Sequence, residues 1–157
     1  MRWLRTALTA ALLTSCGVDA PLQPGDEVDG IRLVRGAAED VSLWDFCAPS
    51  LEGAGLRSCR VPPVDRLRIG PGWRAGSPSA LGSEWDELKW DVRLDGRPLD
   101  LEAFGTLPDT RLRNVVVREW NVAVEGLRPA SHRLRAMVRG PGRRYEVTWV
   151  IRVGRRT

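Results

Sequence analysis

An all-β sandwich is the fold class the sequence predicts, on three observations. Apolar residues recur at every second position in six separate runs. The runs are short and divided by turns rich in Gly, Pro and Asp, and no window of comparable length repeats apolar residues at helical spacing. Side chains two apart lie on the same face of a strand, so each run describes a strand with one face buried and one wet. A chain of 157 residues fits a single domain with a real core.

The elements follow in order. Residues 17–30 are rich in Pro, Gly and Asp with little to bury, and read as the greater part of a flexible tether over 16–30. Residues 31–35 suit a short strand, and Trp44 to Cys59 reads as loop, so 31–63 is expected to pack as an N-terminal segment on a sandwich core of residues 64–157. In Asp65 to Gly70, Leu67 and Ile69 share one face while Arg66 and Arg68 take the other. Ser83 to Leu88 suits one short turn of helix. From Lys89 to Asp95, Trp90, Val92 and Leu94 point one way. Asp95-Gly96 is a strong hairpin signal, because a type I′ turn needs positive φ at both central residues. Arg97 to Phe104 is the expected return strand, with Leu99 and Leu101 together. Trp120, Val122 and Val124 form the next face, and Leu134, Ala136 and Val138 the one after. Gly140-Pro141-Gly142 turns the chain into Val147, Trp149, Ile151 and Val153.

The first residues carry an address. Arg2 and Arg5 precede an apolar stretch, Thr6 to Leu13, far shorter than the roughly 20 residues that cross a bilayer. A positive start, a short apolar stretch and small residues at its end make a signal peptide over residues 1–15. Leu13-Thr14-Ser15-Cys16 resembles the lipobox of bacterial lipoproteins. The resemblance implies that Cys16 receives acyl chains such as palmitate and becomes the first residue after cleavage. The protein would then be held at the extracytoplasmic face of the cell membrane or outer membrane, with the bilayer as partner through the lipid anchor. Each buried acyl methylene contributes about 0.8 kcal/mol, and more than one chain makes the anchor stable. With Cys16 so used, Cys47 and Cys59 remain as an even pair in a compartment where disulfides persist, and a bridge is expected. Closing a loop of this size is worth about 3 kcal/mol in the chain-entropy picture. A single histidine, His132, cannot complete a tetrahedral site with two cysteines, so neither metal nor other cofactor is expected.

A second resemblance lies further on. Gly126-Leu127-Arg128-Pro129-Ala130-Ser131-His132-Arg133-Leu134 is similar to the E–F corner of bacterial immunoglobulin-like and fibronectin type III-like domains. It implies an immunoglobulin-like antiparallel β-sandwich and makes His132 a structural corner residue.

Charge and chemistry narrow the function classes. Loss of residues 1–15 removes Arg2 and Arg5, so 22 basic residues would face 20 acidic ones over 142 residues, and nucleic-acid binding does not follow. Of the 24 basic residues only Lys89 is lysine. Arg111, Arg113 and Arg118 before one strand and Arg133, Arg135 and Arg139 on the next would form a stripe if those strands were neighbours, but interspersed carboxylates favour a mixed surface. No Gly-x-Ser-x-Gly elbow accompanies the lone histidine, and neither Gly-Pro-Gly turn has the Lys-Ser/Thr of a phosphate loop. Glu84, Asp86, Glu87 and Asp91, around Trp85 and Trp90, are the one carboxylate group a small hydrolase could use. Charge runs beside strands are ordinarily solvated, so a non-catalytic role is expected, by binding or by support of the cell envelope, with another envelope protein or a cell-wall polysaccharide as partner. Tryptophan sharpens this, with seven against one tyrosine and two phenylalanines. Parity assigns Trp90, Trp120 and Trp149 to the core. Trp44, Trp73 and Trp85 lie in loop-like sequence and are the candidate ligand contacts, which makes a carbohydrate-binding module the alternative.

Overall fold

The computed structural model describes residues 19–53 and 55–154; the expected signal peptide and the lipidation site Cys16 lie outside the described residues. The strands are β1 (Glu27–Val28), β2 (Ile31–Arg35), β3 (Val41–Ser42), β4 (Gly55–Val61), β5 (Arg66–Arg68), β6 (Gly72–Ala75), β7 (Lys89–Leu94), β8 (Arg97–Pro98), β9 (Thr110–Leu112), β10 (Val115–Glu119), β11 (Val122–Glu125), β12 (Ser131–Gly140) and β13 (Arg143–Val153). Helix α1 (Pro78–Glu87) lies between β6 and β7, and α2 (Leu101–Phe104) between β8 and β9.

The fold is all-β, in sandwich-like layers. One five-stranded sheet runs β1-β2-β11-β5-β3 and the other β4-β13-β12-β7-β8. Their inner faces share one core, with Leu33, Leu67, Ile69, Val122 and Val124 from the first sheet and Val92, Leu94, Leu134, Ala136, Val147, Trp149 and Ile151 from the second. These are the residues that period-two alternation turns inward. Val138 and Val153 follow the same rule. Most pairings are antiparallel, and β4 on β13 and β3 on β5 add two parallel ones.

A third sheet, β6-β10-β9, grows out of the first. Two chain segments cross between them: β5 passes to β6 through Gly70-Pro71-Gly72, and β10 passes to β11 through Trp120-Asn121. They run close enough that Trp120 donates its backbone N–H to the Pro71 carbonyl at 3.0 Å. A Cβ on Gly70 would lie 1.8 Å from the Trp120 carbonyl oxygen, so only glycine allows this approach. Helix α1 packs on this sheet through Leu81, against Ala75 and Val116.

The Asp95-Gly96 turn has φ of 49° and 83°, both positive as its sequence requires. His132 is buried at the start of β12, and its Nδ1 meets the Asp95 carboxylate at 2.7 Å. Burial alone would raise the Asp95 pKa, but the bonds from His132 and from the Arg133 N–H outweigh it and hold the carboxyl below its usual range. His132 is therefore a structural strut between the hairpin and the corner.

Five expectations need correction. The tether does not extend to residue 30: Leu22 is buried and pairs with Leu99, and Val28 lies in β1 against β2. Polar composition hid two apolar anchors. Residues 31–63 do not simply pack on the sandwich, because β2 is an inner strand of one sheet and β4 the edge of the other. Within them, the expected loop from Trp44 to Cys59 holds the end of a 3-10 turn (Leu43–Asp45) and most of β4. Arg97 to Phe104 is not one strand: β8 ends at Pro98, and Asp100 caps α2 by accepting the Ala103 N–H. Leu99 and Leu101 are still both buried. The single turn expected at Ser83–Leu88 is the end of the ten-residue α1, which Ser77 caps and Pro78 opens.

Candidate functional site: two tryptophan-lined hollows

The three candidate tryptophans do not share one surface. Trp44 and Trp73 line a cleft of about 830 Å³, and Trp85 lines a separate groove of about 930 Å³. Both volumes fall in the range of small-molecule sites.

In the first cleft the rings are fixed from behind. Trp44 stands on the 3-10 turn, whose first N–H groups include one bonded to Ser42 Oγ at 3.2 Å. Its indole Nε1 donates to the Gly70 carbonyl at 3.0 Å, and its ring meets Trp149 edge-on at 5.1 Å. The Cys47–Cys59 disulfide ties the following loop to β4, with a Cα–Cα distance of 5.5 Å. That loop is sewn down again where Trp149 Nε1 donates to the Ala48 carbonyl at 2.9 Å and Arg57 donates to the carbonyls of Ala48 and Ser50. Trp73, on β6, donates to Glu84 Oε2 at 2.7 Å and tilts against Tyr145 at 5.7 Å. Arg68 and Glu119 complete the polar wall, 3.2 Å apart. Burial raises the Glu119 pKa, opposed by the charge and hydrogen bond of Arg68, and nearby Asp45 adds to the rise.

The second groove is built around three indoles. Trp85 lies one helical turn beyond Leu81 on α1, so the buried anchor turns it toward the body of the protein. Its ring is 5.4 Å from Trp90 at the start of β7 and 5.0 Å from Trp120, and Trp90 and Trp120 meet edge-on at 6.2 Å. Arg118 lies 5.6 Å from the Trp85 ring centre, in range of a cation–π contact. Its guanidinium is held by a two-pronged bond to Asp109, both at 2.8 Å, which raises the Arg118 pKa and lowers that of Asp109. Among the described residues, four buried polar side-chain atoms lack a hydrogen-bond partner, and two of them are the indole nitrogens of Trp90 and Trp120.

The acidic cluster is divided. Glu84 faces the first cleft, Asp86 lines the second groove, and Asp91 on β7 pairs with Arg93 at 3.1 Å. Among the described residues no group of three or more His, Cys, Asp or Glu is placed to hold a metal ion. The arginines that would form a stripe if their strands were neighbours belong to different sheets, since β10 pairs with β6 and β9 while β12 pairs with β13 and β7. Arg118 is occupied by Asp109, and Arg135 by Glu146 at 2.6 Å, so the surface is mixed. Among the described residues, no helix is long and apolar enough to cross a membrane.

Sequence reading missed Tyr145, Arg68 and Glu119 in the first cleft, and it missed the assembly of Trp90 and Trp120 with Trp85. Parity turned Trp90 and Trp120 inward correctly, yet Trp90 is only half-buried because it sits at the end of its strand. Compared with known proteins, the chain matches no family model and no curated protein sequence. Its class is thus defined by fold and surface alone: an all-β sandwich with two aromatic hollows.

Proposed function

We propose that this is a lipid-anchored, extracytoplasmic binding protein of the bacterial cell envelope, with the cleft of Trp44 and Trp73 as its ligand surface. The observation that carries the binding role is the fixing of both rings. Each indole N–H is bonded to the protein, so a ring face is held ready and little side-chain freedom is lost when a ligand arrives. Support for the anchor comes from Arg2, Arg5 and the Leu13-Thr14-Ser15-Cys16 sequence. Burial of Leu22 gives the anchor a consequence. Only residues 16–21 separate the lipid from the fold, and at about 3.5 Å per residue they reach at most about 20 Å. The domain works close to the membrane surface.

A carbohydrate ligand in this cleft is the second reading, favoured by the Trp73–Tyr145 pair beside Arg68, Glu84 and Glu119, an aromatic wall next to hydrogen-bonding groups. Two measurements test the proposal. Cys16→Ser should move the protein from the membrane to the soluble fraction and abolish labelling by palmitate; unchanged fractionation contradicts the anchor. Pull-down on envelope polysaccharides that lack acetamido groups should fall at least about tenfold for Trp73→Ala, and retention equal to wild type removes the cleft from the binding role.

A further inference from the structure

The second groove offers chemistry that the first does not. Trp90 and Trp120 both line it, and the indole nitrogen of each is buried without an acceptor. An indole N–H is a donor only, and proteins nearly always satisfy such a group when they bury it. The Trp120 side chain is almost wholly buried, and Trp85, packed against both rings, is half-buried at the mouth. The three indoles thus combine flat apolar faces with two donors that need an acceptor. A cationic head group would suit the ring faces but brings no acceptor. The charges argue against an anion: Asp100 is engaged with Gln23 and the first turn of α2, and Arg118 with Asp109. Lys89 then stands against Asp86 and Glu102 along the rim. What remains is a neutral ligand with an apolar face and a strong acceptor.

We propose that this groove binds a neutral sugar bearing an acetamido group. The sugar takes the place of the Trp85 ring against Trp90 and Trp120, and its acetamido carbonyl, with two lone pairs, accepts from their indole N–H groups. No bond is made or broken. The assignment does not depend on what the first cleft takes.

The test uses the full chain in detergent micelles and two uncharged tetrasaccharides with the same linkage, chitotetraose (β-1,4-linked N-acetylglucosamine) and cellotetraose, which lacks the acetamido groups. Titration calorimetry should show chitotetraose binding at least about tenfold more tightly than cellotetraose, the discrimination expected when buried donors gain or lose their acceptor. In nitrogen-15 spectra the indole N–H resonances of Trp90 and Trp120 should move downfield with chitotetraose alone. Trp90→Phe, which keeps an aromatic ring and removes the donor, should weaken chitotetraose about tenfold, and Trp73→Ala should leave it unchanged. Equal affinity for the two sugars, stationary indole resonances in the unaltered protein, or loss of binding through Trp73→Ala instead would each overturn the assignment. The last result would move the sugar to the first cleft and leave the binding role intact.

Discussion

Trp44 and Trp73 line the first cleft with their indole N–H groups bonded to Gly70 and Glu84, whereas Trp90 and Trp120 reach the second groove with theirs unbonded. Helix α1 serves both sides, since Glu84 turns to one hollow and the adjacent Trp85 to the other. The difference separates two roles of the same residue. An indole whose N–H is tied to the backbone or to a carboxylate acts as a fixed wall. An indole with a buried free N–H is held at a cost in stability and keeps a directional donor in reserve.

The largest effect is expected at Gly70, which touches one tryptophan of each hollow. Gly70 accepts the Trp44 N–H through its carbonyl and abuts the Trp120 backbone through its Cα. Gly70→Ala forces these segments apart, and a loss of more than about 4 kcal/mol in urea unfolding, or failure to fold by circular dichroism, is expected. Stability near that of wild type would mean that the joint yields and the hollows are not mechanically linked.

Next comes the indole contrast itself. Trp44→Phe and Trp90→Phe both shorten a half-buried ring, but only the first leaves a buried carbonyl without its donor. Trp44→Phe should cost more than Trp90→Phe by about 1–3 kcal/mol in equilibrium unfolding. Equal costs would erase the distinction between bonded and unbonded indoles.

A pH experiment sharpens the polar side of the first cleft. The Glu119 carboxyl has a pKa above its ordinary value of 4.5, so the folded chain holds that proton more tightly than the unfolded chain. Its contribution to stability is therefore greatest below the ordinary glutamate range and is lost as pH rises through the raised pKa. Between pH 4 and 7 the unfolding free energy of wild type should fall relative to Glu119→Gln, and parallel profiles would show that burial does not govern this group. Asp95 runs the other way. Its depressed pKa makes its stabilisation full above the ordinary aspartate range and lost as pH falls through the folded value.

The smallest effect belongs to Arg118. Removing it frees Trp85 from the cation–π contact at a cost of about 0.5–1 kcal/mol. Fluorescence anisotropy of the Trp85 contribution, obtained by difference from Trp85→Phe, should drop in Arg118→Ala. An unchanged value would place the restraint on Trp85 wholly in its packing with Trp90 and Trp120.

Much of the sandwich was legible because strand parity is a local property. Leu67 and Ile69 face inward while Arg66 and Arg68 face out, since alternation lies in the backbone itself. The helices were less legible. In α1 only Leu81 is buried, which leaves little periodicity to detect, although Ser77-Pro78 is a start signal that could have been read. The short α2 rests on the Asp100 cap, and β4 is an edge strand whose buried end is Val61 alone. At the candidate site, Trp44, Trp73 and Trp85 could be singled out as lying outside the alternating runs, but not sorted between hollows.

By itself the sequence determined which side chains turn inward on each strand, the left-handed turn at Asp95-Gly96 and the cysteines available to pair, because each depends on spacing over a few residues. Only the tertiary structure decided that Trp85, Trp90 and Trp120 converge, that Leu22 belongs to the fold, and that the two arginine groups lie in separate sheets. Those outcomes depend on sheet order and on the crossing at Gly70, and no short-range pattern encodes which distant strands become neighbours.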